Sequence, residues 1–123
     1  MITVTDDLVT VAMHAIAAEL QGSKLQLFAG QRPAISGETN TETLIAEINL
    51  QIAVEGRFIT IDPVGEPLAR VQGGASWARV LKADDSWLMD MDAGTENTDL
   101  ILNNLQFYPG STILFQQLKF AGV

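Results

Sequence analysis

The chain has 123 residues, of which 47% are hydrophobic and 18% charged, and it contains no cysteine. A single domain over residues 1–123 is expected, because this length suffices for a hydrophobic core without metal or disulfide crosslinks. The net charge of −8 and the scattered basic residues argue against nucleic-acid and anionic-membrane partners. The lack of cysteine excludes disulfides, thiol catalysis and thiolate zinc sites.

The first predicted element is an amphipathic helix over residues 5–21. Thr5 is a suitable N-cap, two aspartates favour the helix dipole, and Gly22 provides the C-terminal stop. The face expected to pack on the sheet consists of Val9, Met13, Ile16 and Leu20, flanked by Leu8 and Ala12. The apolar segment is too short to span a bilayer and lacks the positive charge that precedes a signal-peptide core. A protein used without secretion is therefore expected.

Residues 24–120 are predicted to form a β body. In Leu44–Val54 apolar and polar side chains alternate with the period of two that is typical of a strand. Glu55-Gly56 interrupts the alternation and Phe58–Asp62 resumes it, which predicts a β-hairpin. Further strands are predicted at Lys24–Phe28, Ala75–Lys82, Trp87–Asp92, Leu100–Asn103 and Ser111–Phe120. About seven strands after one helix predict a mainly β fold, either an antiparallel β-sandwich or a barrel-like sheet.

Two of these strands flank an acidic turn, Ala83–Ser86. Ala75–Lys82 is apolar on both faces and is expected to be central in the sheet. The strand after the turn is expected to place Trp87, Met89 and Met91 on one face, against Leu88, Asp90 and Asp92 on the other. Long irregular connections are predicted at Gln31–Thr43 and Asp62–Gly74, and long loops often carry binding function.

The candidate chemical groups are few. His14, the single histidine, lies on the polar side of the predicted helix, so a surface position is favoured over a general base. Six acids, with ligand oxygens of the kind that Ca²⁺ prefers, could form a calcium site or a solvated acidic edge: Asp84, Asp85, Asp90, Asp92, Glu96 and Asp99. Their spacing does not match a helix–loop–helix calcium loop, and the acidic edge is favoured.

Two further constellations have an ordinary structural explanation. Asp90 and Asp92 would lie roughly 7 Å apart on one strand face. This separation is compatible with a pair of glycosidase carboxylates but is common in any alternating strand. Trp77 and Trp87, on either side of the acidic turn, are expected to contribute to the core rather than to a ligand platform. The glycines match no phosphate-binding fingerprint, and no catalytic residue, cofactor or metal is predicted.

The order of short motifs along the chain resembles small structural proteins of tailed bacteriophages and prophages. The segments that carry the resemblance are Leu25–Ala34, Leu44–Leu50, Gly73–Val80 and Gly94 with Asp99–Asn103. The chain departs from the usual pattern in a shortened Gln51–Arg57 stretch and in lacking a glycine at Asp84–Ser86. The resemblance implies a non-enzymatic minor capsid, decoration or cement protein, located in the virion after assembly in the bacterial cytoplasm.

Such a role implies two partners, the major capsid protein and copies of the chain itself, with a trimer as the hypothesis for the oligomer. An N-terminal arm, residues 1–7, and the first long loop are the predicted contacts. The interface residues are Met1, Ile2, Thr3, Val4, Gln31, Arg32, Pro33 and Ile35. Two alternatives stay open: a tail or baseplate component, and a carbohydrate-binding β module that stacks sugars on Trp77, Trp87 or Tyr108.

Overall fold

The computed structural model describes residues 5–121, which contain one helix and nine strands. The elements are α1 (Asp6–Leu20), β1 (Lys24–Phe28), β2 (Leu44–Glu55), β3 (Phe58–Pro63), β4 (Gly73–Gly74), β5 (Trp77–Leu81), β6 (Trp87–Gly94), β7 (Leu100–Ile101), β8 (Gln106–Phe107) and β9 (Leu118–Ala121). Seven strands form a nearly closed, barrel-like sheet in the order β7-β6-β5-β1-β2-β3-β9, and β4 pairs with β8. The predicted mainly β fold with an N-terminal helix is confirmed.

The sheet is built from antiparallel pairs with one exception. The predicted hairpin is present as β2 and β3, which pair from Leu50↔Pro63 to Glu55↔Phe58. Strand β5 lies between β1 and β6 with all five residues buried, so its predicted central position is confirmed. Strand β7 pairs with β6 in parallel, through Ala93↔Leu100 and Gly94↔Ile101, which makes the sheet mixed.

The hydrophobic core fills the space inside the curved sheet. Leu25 and Leu27 of β1 point inward beside their cross-strand partners on β2 and β5, as the period of two requires. The helix packs against β2 and β3 and covers this core with Val9, Met13, Ala17 and Leu20. Ile16 is only half-buried, and the predicted flanking contacts of Leu8 and Ala12 are wrong, since both residues are exposed. The buried stripe lies further round the helix than predicted, toward Ala17.

Contacts of Thr5 and Asp6 hold the start of α1 in place, although residues 1–7 are predicted as an N-terminal arm. The Thr5 hydroxyl accepts a hydrogen bond from the Leu8 amide at 3.2 Å, which confirms the predicted N-cap. Asp6 is the first helical residue, and its carboxylate accepts a hydrogen bond of 2.9 Å from Nε of Arg57 in the β2–β3 turn. Residues 5–7 therefore belong to the folded body.

Two predicted strands differ from the structure. Ser111–Gln117 forms no continuous strand and makes only isolated bridges, Leu68↔Thr112 and Leu102↔Phe115, before β9 begins. The β5–β6 register shifts between Val80 and Leu81, so β6 contains one extra residue near its start. This bulge places Trp87 on the face of Asp90, and the prediction that Trp87 shares a face with Met89 is wrong. In the preceding turn Asp85 adopts φ +71°, a conformation that aspartate tolerates where glycine is more common.

The barrel wall has an opening between β6 and β9, which are both in the sheet but do not pair with one another. A cavity of about 200 Å³ lies there, with apolar walls from Ile61, Met89, Met91 and Leu118 and with Asp99 and Lys119 also lining it. Among the described residues, no helix is long and apolar enough to cross a membrane.

Candidate functional site

The structure describes half of the predicted interface residues. Met1, Ile2, Thr3 and Val4 lie outside the described residues, so their role stays a prediction. The other four, all in the loop of residues 29–43 between β1 and β2, are Gln31, Arg32, Pro33 and Ile35. This loop is bonded to Ser76, just before β5, and to side chains of β6 that point away from the core, so it covers the outer face of the sheet.

Three contacts hold the loop in place. At its start the carbonyl of Gly30 accepts a hydrogen bond from the Ser76 hydroxyl, next to β5. Arg32 follows, with Nη1 lying 3.1 Å from Oδ1 of Asp92 on β6. At its middle the amide of Gly37 donates to Oδ2 of Asp90 at 2.9 Å. A long, polar loop that would otherwise be mobile is therefore bonded to the sheet at several points along its first half.

Asp90 is the central residue of this arrangement. Its side chain is completely buried, and it forms an ion pair with Arg79 on the neighbouring strand. The guanidinium donates to both carboxylate oxygens, from Nε at 2.7 Å and from Nη2 at 3.0 Å. The indole Nε1 of Trp87 donates to Oδ1 at 3.1 Å, in addition to the Gly37 amide. Four donors thus replace the water that the buried carboxylate has lost.

The electrostatics of this group follow from the same contacts. Burial raises the pKa of the Asp90 carboxyl, but the hydrogen bonds from Arg79, Gly37 and Trp87 outweigh that effect. The net result is a pKa below the ordinary value, so the group is ionised at neutral pH. A general acid in glycoside hydrolysis needs the opposite shift. Asp90 and Asp92 do share a face, as predicted, but their partners are Arg79 and Arg32, and the pair does not fit that chemistry.

Aromatic rings form a second small core under the loop. Phe28 and Trp77 stack with ring centroids 4.5 Å apart, and the guanidinium of Arg79 lies 5.3 Å from the Trp77 ring centroid. Trp77 is 1% exposed, so it is a core residue and cannot offer a surface for stacking sugars. Gly37 lies against Trp87 so closely that a Cβ on residue 37 would meet the Trp87 ring at 2.8 Å.

The outer surface of the loop and the adjoining indole form what we call the loop platform, defined by Gln31, Pro33, Ile35 and Trp87. Ile35 is 65% exposed and Trp87 is 45% exposed, which is unusual for side chains of this size and hydrophobicity. An open polar hollow of about 260 Å³ lies between the two arms of the same loop, from Gln31 to Glu42. The platform therefore combines an apolar contact with hydrogen-bonding groups in a fixed shape.

The remaining acids are distributed along the surface. Asp85 pairs with Lys24, and Asp84 accepts a hydrogen bond of 3.0 Å from the Ser86 amide. Within the described part of the chain, no group of three or more acidic or histidine side chains is placed to hold a metal ion. His14 is exposed, as predicted. The acidic stretch thus contains ion pairs, a capped turn and a buried carboxylate.

Sequence reasoning missed Arg79 and Gly37, and it considered Asp90 as a calcium ligand or catalytic acid but not as the residue that fixes the loop. One signal was available, because a tight turn after Leu81 places Arg79 opposite Asp90 on adjacent strands. The contact of Gly37 with this pair had no such signal, since it joins positions 53 residues apart.

The chain was also compared with known proteins. No protein-family model matches it, and neither a curated protein nor a solved structure is significantly similar.

Proposed function

We propose that this chain is a non-enzymatic structural protein of a bacteriophage virion, most specifically a minor capsid or decoration protein that binds the major capsid lattice. The sequence resemblance motivates the proposal. The single structural observation that supports it is the loop platform, an exposed apolar surface on a loop that is already fixed to the sheet. The proposed location is the virion.

A fixed platform suits repeated docking for a physical reason. Ordering a free loop during binding costs conformational entropy, and this cost falls when the loop is held in its bound shape beforehand. The hydrogen bonds of Gly37 to Asp90 and of Arg32 to Asp92 do this in the isolated chain. Each copy then needs only a small apolar contact through Ile35 and Trp87, because copies joined in one proposed oligomer bind the lattice together.

The test uses the major capsid protein of the phage to which the chain is proposed to belong. The two proteins are co-expressed, assembled shells are sedimented, and the amount of this chain bound per shell is measured. Ile35→Asp is expected to reduce occupancy about tenfold or more, since it places a charge in an apolar contact. Val64→Asp is the matched control because Val64 is 52% exposed and lies outside the loop, and it should bind normally.

The N-terminal prediction needs a narrower deletion than residues 1–7. Removal of residues 1–4 spares the Thr5 cap and the bond between Asp6 and Arg57, and circular dichroism of this variant checks that it is folded. Loss of shell binding by this variant would support the N-terminal contact, and unchanged occupancy would refute that contact. A chain that does not sediment with shells at all would refute the proposed function.

A second candidate function is favoured by two exposed aromatic residues. Trp87 and Tyr108, 59% exposed, could stack sugars in a carbohydrate-binding module. Quenching of tryptophan fluorescence by host glycans, lost in Trp87→Ala, would favour this function. A tail or baseplate component would share the fold, and electron microscopy of the particle distinguishes that position from one on the head.

A further inference from the structure

We propose that Met1–Val4 lies as a short strand in the gap between β6 and β9 of its own chain and so closes the barrel. The segment itself is outside the described residues. Three features support this placement: the unpaired backbone edges on both sides of the gap, the position of Thr5, and the sequence of the segment. Closure of the barrel goes beyond the proposed function and involves no capsid protein.

The edge of β6 that faces the gap has unpaired backbone groups. The amide of Ala93 donates to the carbonyl of Ser76, on the β5 side, at 3.0 Å. Backbone groups alternate in direction along a strand, so those of Asp90 and Asp92 point the other way, into the gap. Strand β7 pairs with β6 only at Ala93 and Gly94. No strand within residues 5–121 pairs with the earlier part of this edge.

The facing edge of β9 is unpaired for a similar reason. The amide of Val64 donates to the carbonyl of Asn49 at 2.8 Å, so even-numbered residues of β3 bond to β2. Odd-numbered residues of β3 therefore bond to β9, where Ile61 is the partner of Leu118. The backbone groups of Lys119 then point away from β3, into the gap. An extended chain is the element that can hydrogen-bond along both edges at once.

The inner side of the gap is apolar. Four side chains line the cavity of about 200 Å³ there: Ile61, Met89, Met91 and Leu118. A strand in the gap would place alternate side chains against these walls and the others toward solvent. The two flexible methionines can adapt to the shape of the inserted residues. The gap therefore fits an extended segment with an apolar residue at every second position.

Thr5 fixes the place at which the segment joins the folded body. Its φ of −74° and ψ of 157° are extended, so the chain enters the helix from a strand-like conformation. The next residue, Asp6, binds Arg57 in the β2–β3 turn. Phe58, at the end of that turn, pairs with Ala121, the last residue of β9. The segment thus begins beside one end of the gap, and four extended residues span about 13 Å, the length of β9.

The direction and sequence of the segment agree with this placement. Strand β9 runs toward the β2–β3 turn and β6 runs the opposite way, since the five neighbouring pairs that link them are all antiparallel. A segment that ends at Thr5 is then parallel to β9 and antiparallel to β6. Ile2, Thr3 and Val4 are β-branched residues that favour strands. With Thr5 level with Ala121, Ile2 and Val4 face the cavity.

Disulfide trapping within one molecule tests the placement, because the chain has no cysteine of its own. In the proposed register Thr3 lies beside the exposed Lys119, about 5 Å away on the adjacent strand, and a disulfide requires Cα atoms within roughly 7 Å. Mild oxidation of dilute Thr3→Cys, Lys119→Cys is expected to give a monomer without free thiols. Thr3→Cys, Gln51→Cys is the matched control, since Gln51 is exposed on β2, beyond β3 and β9, and it should oxidise far more slowly.

Two outcomes of this experiment contradict the closed barrel. A disulfide-linked dimer without the intramolecular product would place the segment in the gap of a second copy. Oxidation no faster than that of the control would show that the segment does not lie beside β9. Either result overturns the proposal.

Urea unfolding provides a measurement that needs no cysteine. Ile2→Asp is expected to lower the urea midpoint by about 0.5 M or more, because it places a charge inside the barrel. Thr3→Asp places the same charge on the solvent side and should change the midpoint little. Equal midpoints for the two variants contradict the placement. The added strand is short, so β9 remains the least strongly held strand with a long ladder.

This closure and the proposed function can fail separately. Met1 and Thr3 face outward in the closed barrel, so they remain available to a capsid protein. Disulfide formation and the urea midpoints are measured on the purified chain alone, whereas shell binding through the loop platform is measured by sedimentation with shells.

Discussion

Replacing Asp90 by Asn tests whether the buried ion pair holds the loop on the sheet. The substitution keeps the size of the side chain but removes its charge. Arg79, whose side chain is only 8% exposed, then remains as a buried cation without a counterion. In either orientation of the Asn amide, its NH₂ group also faces an N–H donor of Arg79, together with that of Trp87 or of Gly37.

The expected loss in free energy of unfolding is about 3–5 kcal/mol, the usual cost of breaking a buried pair by removing one partner. Asp92→Asn is the matched control, two residues away on the same strand face. Its pair with Arg32 is solvated, since the Asp92 side chain is 62% exposed, and a loss of about 0–1 kcal/mol is expected there.

Urea unfolding, followed by circular dichroism and by tryptophan fluorescence, measures both values. The fluorescence signal is informative because Trp87 donates to Asp90 and Trp77 lies beside Arg79. If Asp90→Asn and Asp92→Asn lower stability by similar amounts, the role assigned to the buried pair is refuted.

Three further results are expected from the same contacts. The double variant Arg79→Met, Asp90→Leu should be more stable than Asp90→Asn in urea, because it leaves no buried charge unpaired; a larger loss than in Asp90→Asn would contradict this. Gly37→Ala should lower the free energy of unfolding by about 1–3 kcal/mol more than Gly65→Ala. Both glycines have positive φ, but only a Cβ at residue 37 meets Trp87. Equal losses would show that the Trp87 contact is unimportant. Because the pKa of Asp90 is lowered in the folded state, its contribution to stability should be complete above a pH of about 4 and should decline as pH falls through the folded-state pKa. Urea midpoints from pH 7 to pH 3 should therefore fall more steeply for the unmodified chain than for Asp90→Asn, and parallel curves would exclude Asp90 as the titrating group.

The elements with a regular, local pattern were predictable from the sequence. The alternation in Leu44–Val54 predicted β2, and the Glu55-Gly56 break predicted the turn that follows it. The Thr5 cap and Gly22, with φ +74°, marked both ends of the helix. These signals come from residues that are close in sequence, so they do not depend on how distant segments of the chain pack.

Features that depend on distant residues were not predictable in the same way. The bulge near Leu81 reversed the facing of Trp87, because one extra residue moves a side chain to the other face of the strand. Ser111–Gln117 contains strand-forming residues but meets only single bridging partners, so no ladder develops. The docking of the loop on Asp90 joins three separate segments, which no local pattern encodes.

The gap between β6 and β9 determines which strand detaches from the sheet most easily. Within residues 5–121, strand β9 is the last in the sheet order and is hydrogen-bonded to β3 alone. Its detachment breaks one ladder and exposes Leu118, whereas detachment of β5 would break two. Amide hydrogen exchange should therefore be fastest at β9 among the barrel strands with long ladders, and slowest at β1 and β5.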